Sequence, residues 1–316
     1  MKTYCVGELF AGIGGIGLGF KQAGFKISWA NEIDEKACKT YSVNFDTLLI
    51  NQDMTTLDPS TLSHVDILTG GFPCQAFSIA GYQKGFEDDR GNLFFDILRY
   101  VRALKPRVLF LENVKNLTTH DKGRTFNIIQ SELSNLGYYL KYSVLNTAEY
   151  SQIPQNRERI YIVCFKDKKM FEAFNFPKPL KRVKKIRSFL DKEVSPVFSY
   201  KHTKYFSQLK KEMKNPNTIY QWRRVYVREN KNNLCPTLTA NMGTGGHNVP
   251  LVLDESNDIR KLTPRECARF QGFPDNFILP DTLPKSALYK QIGNSVTVPV
   301  IYEIAKNIME VFQKYG

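Results

Sequence analysis

Apolar residues along the first half of the chain gather alternately into short continuous runs and into helical spacing. Runs at 4–9, 25–30, 65–68, 108–111 and 160–165 read as strands. The stretches 16–23, 34–44, 92–104 and 123–135 read as helices, the first closed by Gly24 and the third stopped before Pro106. Such alternation predicts a mostly parallel sheet with crossover helices. Two prolines in F-N-F-P-K-P-L, 174–180, break it. From Pro177 to about Asp258 only short strand-like pieces and a glycine cluster at 243–246 appear. Regularity then returns. Residues 263–269 start as a helix with Pro264 in its first turn, and 298–312 form an amphipathic helix able to pack back on the first half. The pattern predicts an α/β protein in two parts: 1–176 with 287–316, and a smaller, irregular, β-rich part at 177–286.

A chain of 316 residues with 42% hydrophobic content is long enough for both parts around a substantial core. It holds no apolar stretch long enough for a membrane span, and Glu8 with the glycine-rich loop interrupts the start, so no signal peptide is expected. The six cysteines (5, 38, 74, 164, 235 and 267) are widely spaced with no C-x-x-C pair, which predicts reduced intracellular thiols and no metal site. Charge changes the picture more. Of the net +13, residues 178–231 carry 16 Lys and Arg against 4 Asp and Glu, leaving the remainder at +1. In that segment Tyr200, Tyr205, Phe206, Tyr220, Trp222 and Tyr226 are mixed with the basic residues. The mixture suits phosphate neutralisation with base contacts, although a charge run alone is as often a solvated face.

Candidate chemistry begins at the first turn, F-A-G-I-G-G-I-G-L-G-F, 10–20. Gly12, Gly14 and Gly17 satisfy G-x-G-x-x-G between a strand and a helix, the context of nucleotide binding. Glu32 ends the second strand, where a carboxylate can bind both hydroxyls of a ribose, and Asp53 follows. Taken alone, this fits an NAD-dependent dehydrogenase as well as any other enzyme. The run at 65–68 leads into G-G-F-P-C-Q, 70–75, which sets Cys74 apart from the other cysteines. Loops after strand ends line the crevice of open α/β sheets, so Cys74 is a candidate nucleophile and 78–91 a candidate lid. A lone cysteine is more often a small buried hydrophobe. No histidine stands beside it to suggest a protease-like pair. In L-F-L-E-N-V, 109–114, Glu112 ends an apolar strand, where burial raises a carboxyl pKa and favours a proton donor. In P-Q-N-R-E-R-I-Y, 154–161, Arg157 and Arg159 alternate toward one face and suit planar, bidentate contacts to a base or a carboxylate.

Together these strings resemble the DNA cytosine-5-methyltransferase family. They run in the family's order: F-A-G-I-G-G, N-E-I-D, G-F-P-C-Q, E-N-V, Q-N-R-E-R, R-K-L-T-P-R-E-C-A-R-F-Q-G-F-P-D and Q-I-G-N-S-V. The resemblance implies a Rossmann-like S-adenosylmethionine-dependent methyltransferase domain and a target-recognition domain in the basic segment. It implies a covalent bond from Cys74 to C6 of a flipped-out cytosine, with Glu112 stabilising the charge near N3 and Arg159 and Arg157 holding the base. Cofactor contacts implied by the matched strings are Phe10, Gly12, Gly14, Glu32, Ile33, Asp53, Met54, Phe72, Leu93 and Asn294. It further implies double-stranded DNA as partner, a cognate restriction endonuclease, and a cytoplasmic enzyme of a bacterium or phage; a monomer is the default expectation. Methylation of RNA and a non-catalytic DNA-binding module are the competing readings. Against the first, the cysteine-phenylalanine-threonine signature of the tRNA-methylating branch is missing; against the second stand Cys74, Glu112 and Arg159 together.

Overall fold

The computed structural model describes residues 2–72, 93–180, 184–245 and 247–316. Seven strands make the main sheet: β1 (Cys5–Leu9), β2 (Lys26–Asn31), β3 (Leu48–Ile50), β4 (Ile67–Gly71), β5 (Val108–Val114), β6 (Tyr139–Asn146) and β7 (Glu158–Phe165). Their order is β3-β2-β1-β4-β5-β7-β6, parallel from β3 to β5, with β7 antiparallel to both neighbours. Helices among the described residues are α1 (Gly15–Gln22), α2 (Glu35–Ser42), α3 (Leu93–Leu104), α4 (Arg124–Asn135), α5 (Thr147–Tyr150), α6 (Lys168–Ala173), α7 (Phe206–Glu212), α8 (Pro264–Phe270), α9 (Lys285–Asn294) and α10 (Val298–Tyr315).

The inner strands read as continuous apolar runs because both faces are covered. On β5, Val108 and Phe110 pack with Ile16 and Phe20 of α1 and Ile301 and Ile304 of α10. Leu109 and Leu111 point the other way, into a core with Ile97 of α3 and Ile129 of α4. The last helix thus rejoins the first strand–helix unit, and Tyr4 donates its hydroxyl to the Phe312 carbonyl at 3.0 Å. β3 and β6 lie outside the runs read from sequence. They are the two edge strands, half exposed, and so lack a continuous apolar run.

Four short strands build a second, antiparallel sheet: β8 (Tyr220–Trp222), β9 (Val227–Glu229), β10 (Leu251–Leu253) and β11 (Ile259–Lys261), in the order β11-β10-β8-β9. It has its own small core around Leu209, Met213, Tyr220 and Leu251. A further apolar cluster gathers Ile13, Tyr41 and Phe45 with Phe189, Leu238, Phe270 and Ile292. α8 starts in a full capping box, with Thr263 and Glu266 each satisfying the other's backbone N–H. Glu266 also pairs with Arg260 through two hydrogen bonds at 2.8 and 2.9 Å, both residues buried.

Candidate active site

The carboxyl ends of β1, β2, β4 and β5 and the start of β7 converge on a cavity of about 390 Å³. This is the ligand crevice of an open α/β sheet. At its floor β1 turns sharply. Phe10 takes φ 53, a conformation rare outside glycine, and Gly12 follows at φ +57. A Cβ added at Gly12 would meet nothing within 4 Å, so the backbone there stands open to the cavity. Its N–H donates to Glu32 Oε2 at 2.7 Å, and the Asp34 N–H donates to Glu32 Oε1 at 2.8 Å. Each Glu32 oxygen therefore keeps acceptor capacity on the cavity side.

Glu112, near the end of β5, is 9% exposed, and its Oε1 lies 3.1 Å from Arg159 Nε across the β5–β7 pair. Burial raises its carboxyl above the ordinary range, opposed by the charges of Arg159 and Arg157. Arg157 does something else. It precedes β7, is 2% exposed, and donates to the Leu238 carbonyl at 2.8 Å and to the carbonyls of Gly293 and Ser295. Burial, then the like charge of Arg159, depress its guanidinium to about 9, which still leaves it charged at neutral pH. The two arginines share the cavity, but one holds the acid while the other ties three backbone segments together.

Phe10, Gly12, Glu32, Phe72, Glu112, Arg157, Arg159 and Asn294 all line the cavity. Gly14, Ile33, Asp53, Met54 and Leu93 do not line it. A Cβ at Gly14 would lie 2.3 Å from the Phe45 ring, so that glycine serves packing. Ile33 is 63% exposed beside Glu32. The Asp53 carboxylate binds the N–H and hydroxyl of Thr55, and Met54 is buried with its carbonyl accepting from Tyr100 at 2.9 Å. Leu93 is half-buried in the core that holds Phe72. Cys74 and the segment 78–91 lie outside the described residues; Phe72, two positions before Cys74, stands in the cavity wall. Cys5, Cys38, Cys164, Cys235 and Cys267 are free thiols.

Several polar residues of the site went unread in the sequence. Glu8, fully buried in β1, accepts from the Gly17 N–H at 2.8 Å and from the Tyr41 hydroxyl at 3.3 Å. A Cβ at Gly17 would lie 2.5 Å from Glu8 Oε2, so the glycine makes room for the acid. Gln155 and Gln271 bond to each other at 3.1 Å and to the Phe270 and Ile292 carbonyls, beneath Arg157. Lys290 pairs with Asp34 at 3.0 Å, and Gln291 accepts from the Thr40 hydroxyl at 2.9 Å, closing the wall between α9 and α2. For the two glutamines 271 and 291 the signal was an amide beside apolar neighbours, in F-Q-G-F and Q-I-G, positions a core would fill with hydrocarbon.

Solved structures share this architecture. A DNMT2 mutant of Spodoptera frugiperda superposes with a TM-score of 0.76 at 20% identity, over 97% of this chain and 100% of that one. Dnmt2 methyltransferase of S. pombe gives 0.73 at 20% identity, over 98% and 99%. The fold is therefore Rossmann-like, with a cavity at the carboxyl ends of its parallel strands. The sequence model of the family described as C-5 cytosine-specific DNA methylase matches residues 4–310. The chain is 53% identical over 309 residues to the Type II methyltransferase M.Bsp6I of Bacillus sp. (strain RFL6), covering 96% of this chain and 98% of that one. It is 40% identical over 317 residues to the Type II methyltransferase M.HhaI of Haemophilus parahaemolyticus, covering 95% and 93%. It belongs to the C-5 cytosine-specific DNA methylase family and is a DNA cytosine-5-methyltransferase.

Proposed function

We propose that this chain methylates one cytosine within a short DNA sequence through Cys74, with Glu112 as proton donor and Arg159 as its anchor. The observation that carries the reading is the Glu112–Arg159 pair at 3.1 Å in the wall of the cavity that Gly12 opens. The cavity suits S-adenosylmethionine. Its volume lies in the range of small-molecule sites, and a Cβ at Gly12 would meet nothing, so the backbone there can lie directly against a ligand. Glu32 would take the ribose hydroxyls, and Phe10, Phe72 and Asn294 would flank the remainder. Ile33, Asp53, Met54 and Leu93 would contribute from the rim. Gly14 would act by shaping the loop.

Bound there, S-adenosylmethionine supplies an electrophilic methyl group. The Cys74 thiolate would form a bond to C6 of the cytosine, and Glu112, whose carboxyl burial raises, would hydrogen-bond at N3 where negative charge develops. With the cofactor bound, C5, made enamine-like, would receive that methyl group; the C5 proton would then pass to a solvent base, and the C5–H electrons would expel the Cys74 thiolate from C6. Arg159 holds Glu112 and the base edge, and Arg157 fixes the strands that carry them. The cytosine must leave the duplex first, at a cost of a few kcal/mol. Residues 177–286 would be the target-recognition domain on double-stranded DNA, with 1–176 and 287–316 as the catalytic domain. S-adenosylhomocysteine is the product, and no metal is assigned a role. That the relatives are Type II methyltransferases supports a modification enzyme paired with a restriction endonuclease; a monomer acting in the cytoplasm is part of the same proposal.

Bisulfite sequencing of plasmid DNA incubated with the protein and S-adenosylmethionine tests this reading. Protected cytosines in one short context, lost in Cys74→Ala, are expected. Protection that persists in Cys74→Ala would remove the thiol from the mechanism, and no protection at all would overturn the reading.

A further inference from the structure

Just before β7 begins, the stretch that carries Arg157 is fastened to a segment of the basic, β-rich part of the chain. The Cys235 N–H donates to the Pro154 carbonyl at 2.7 Å, and the Asn156 N–H donates to the Cys235 carbonyl at 2.8 Å. The Thr237 hydroxyl adds a bond to the Asn156 carbonyl at 2.7 Å. At Leu238 side chains take over from backbone. Its N–H donates to Gln155 Oε1 at 3.2 Å, and its carbonyl accepts from Arg157 at 2.8 Å. Gln155, Arg157 and Leu238 are all buried, so water does not compete for these bonds. The Gln155 amide has one orientation that works. Its Nε2 donates to the Phe270 carbonyl at 2.6 Å and to Gln271 Oε1 at 3.1 Å, which leaves Oε1 for Leu238. A slip of 235–238 by one residue would part Leu238 from both partners in a dry interior, where unmade hydrogen bonds are costly.

We infer that Gln155 is a positioning residue for target specificity: by holding Leu238 it fixes the recognition segment against the strand whose Arg159 anchors Glu112. This rests on the reading proposed above, in which 177–286 reads DNA and Glu112 serves the flipped cytosine. Positions 155, 157 and 159 alternate along one stretch, so the clamp on Leu238 and the anchor of Glu112 share a single backbone. On its other side, 235–238 leads directly into a turn tied by Asn241, whose Oδ1 accepts from Thr239 and Asn248. DNA that seats this turn leaves the clamp in register. A wrong base pair that lifts the turn pulls on Leu238, and through Gln155 and Arg157 on Arg159. Discrimination then shows in the chemical step as well as in binding.

Methylation rates on duplexes carrying the context protected in bisulfite sequencing, and on duplexes with one base pair of it changed, test this. Gln155→Met has similar volume and neither bond. It should lower the cognate-to-altered ratio of kcat/KM about tenfold, mostly through kcat on the cognate duplex, with the Kd for S-adenosylhomocysteine unchanged. Gln155→Glu keeps an acceptor for the Leu238 N–H and should restore part of the ratio, although its second oxygen faces the Phe270 carbonyl and lowers the melting temperature. Gln271→Met removes the neighbouring amide but not the bond to Leu238; it should lower the melting temperature and leave the ratio within about twofold. Hydrogen exchange of the wild-type protein covers the case in which Gln155→Met fails to fold. With S-adenosylhomocysteine present, cognate DNA should slow exchange in 152–158 and 235–240 together, and altered DNA in neither. An unchanged ratio or a matching loss of S-adenosylhomocysteine affinity in Gln155→Met would overturn the assignment. So would an equal fall of the ratio in Gln271→Met, or slowed exchange in one segment alone. Wild-type protein with no preference for one DNA sequence would instead overturn the proposed function, and this inference with it.

Discussion

Glu8 and Glu112 are two buried carboxylic acids that differ in what answers them. Glu112 has Arg159 at 3.1 Å, whereas Glu8 has only the Gly17 N–H and the Tyr41 hydroxyl. Burial therefore pushes the Glu8 carboxyl up to about 7. An acid whose folded pKa is raised favours folding below its ordinary value, and that contribution is lost as pH climbs through the folded one. From 4.5 to about 7 the loss is on the order of 3 kcal/mol. Glu8→Gln should flatten the fall in stability between pH 5 and 8, read from urea unfolding at several pH values. Glu112→Gln keeps shape and a donor but not the acid's proton; methyl transfer should drop about a hundredfold or more while S-adenosylhomocysteine still binds. Glu112 was legible in sequence because it ends an apolar run. Glu8 was not, because its burial depends on Gly17 leaving space for it, a contact between strand and helix that spacing does not encode.

At the level of elements, legibility followed position in the sheet. Strands covered on both faces, such as β5, announce themselves as unbroken apolar runs. The edges β3 and β6 have no such constraint, and the reversal of β7 has no local signal at all. α9 hid for another reason: it carries the weak helix formers Gly293 and Asn294, because it faces the cavity and a neighbouring backbone at once. A Cβ at Gly293 would lie 2.3 Å from the Thr239 carbonyl carbon and 2.5 Å from the Ala240 nitrogen. No side chain can swing aside there. Gly293→Ala should force α9 away from 239–240, costing on the order of 1–3 kcal/mol by thermal melting. It should also weaken S-adenosylhomocysteine binding, since Arg157 bonds to the carbonyls of both Leu238 and Gly293.

Across the whole molecule, α10 seals the face of the sheet that α1 leaves open. Phe312 is fully buried, its ring tilted against Tyr4 with centroids 4.4 Å apart, and Arg107 lies over it. Phe312→Ala should cost about 3–5 kcal/mol in denaturant unfolding, as in other large-to-small core changes, with no cavity residue altered. The charge concentrated in 178–231 gives a second expectation. DNA affinity should fall steeply and linearly on a log–log plot against salt, and a flat response would separate that segment from phosphate contacts. Finally, the cavity proposed for the cofactor is walled on one side by Phe10–Ile16 neighbours and on the other by Lys290, Gln291 and Asn294. A ribosome makes the first wall early and the second almost a whole chain later. The cavity therefore does not exist on a nascent chain, and a polypeptide stopped short of α9 has nowhere to hold a methyl donor. The marking of DNA begins only with finished molecules.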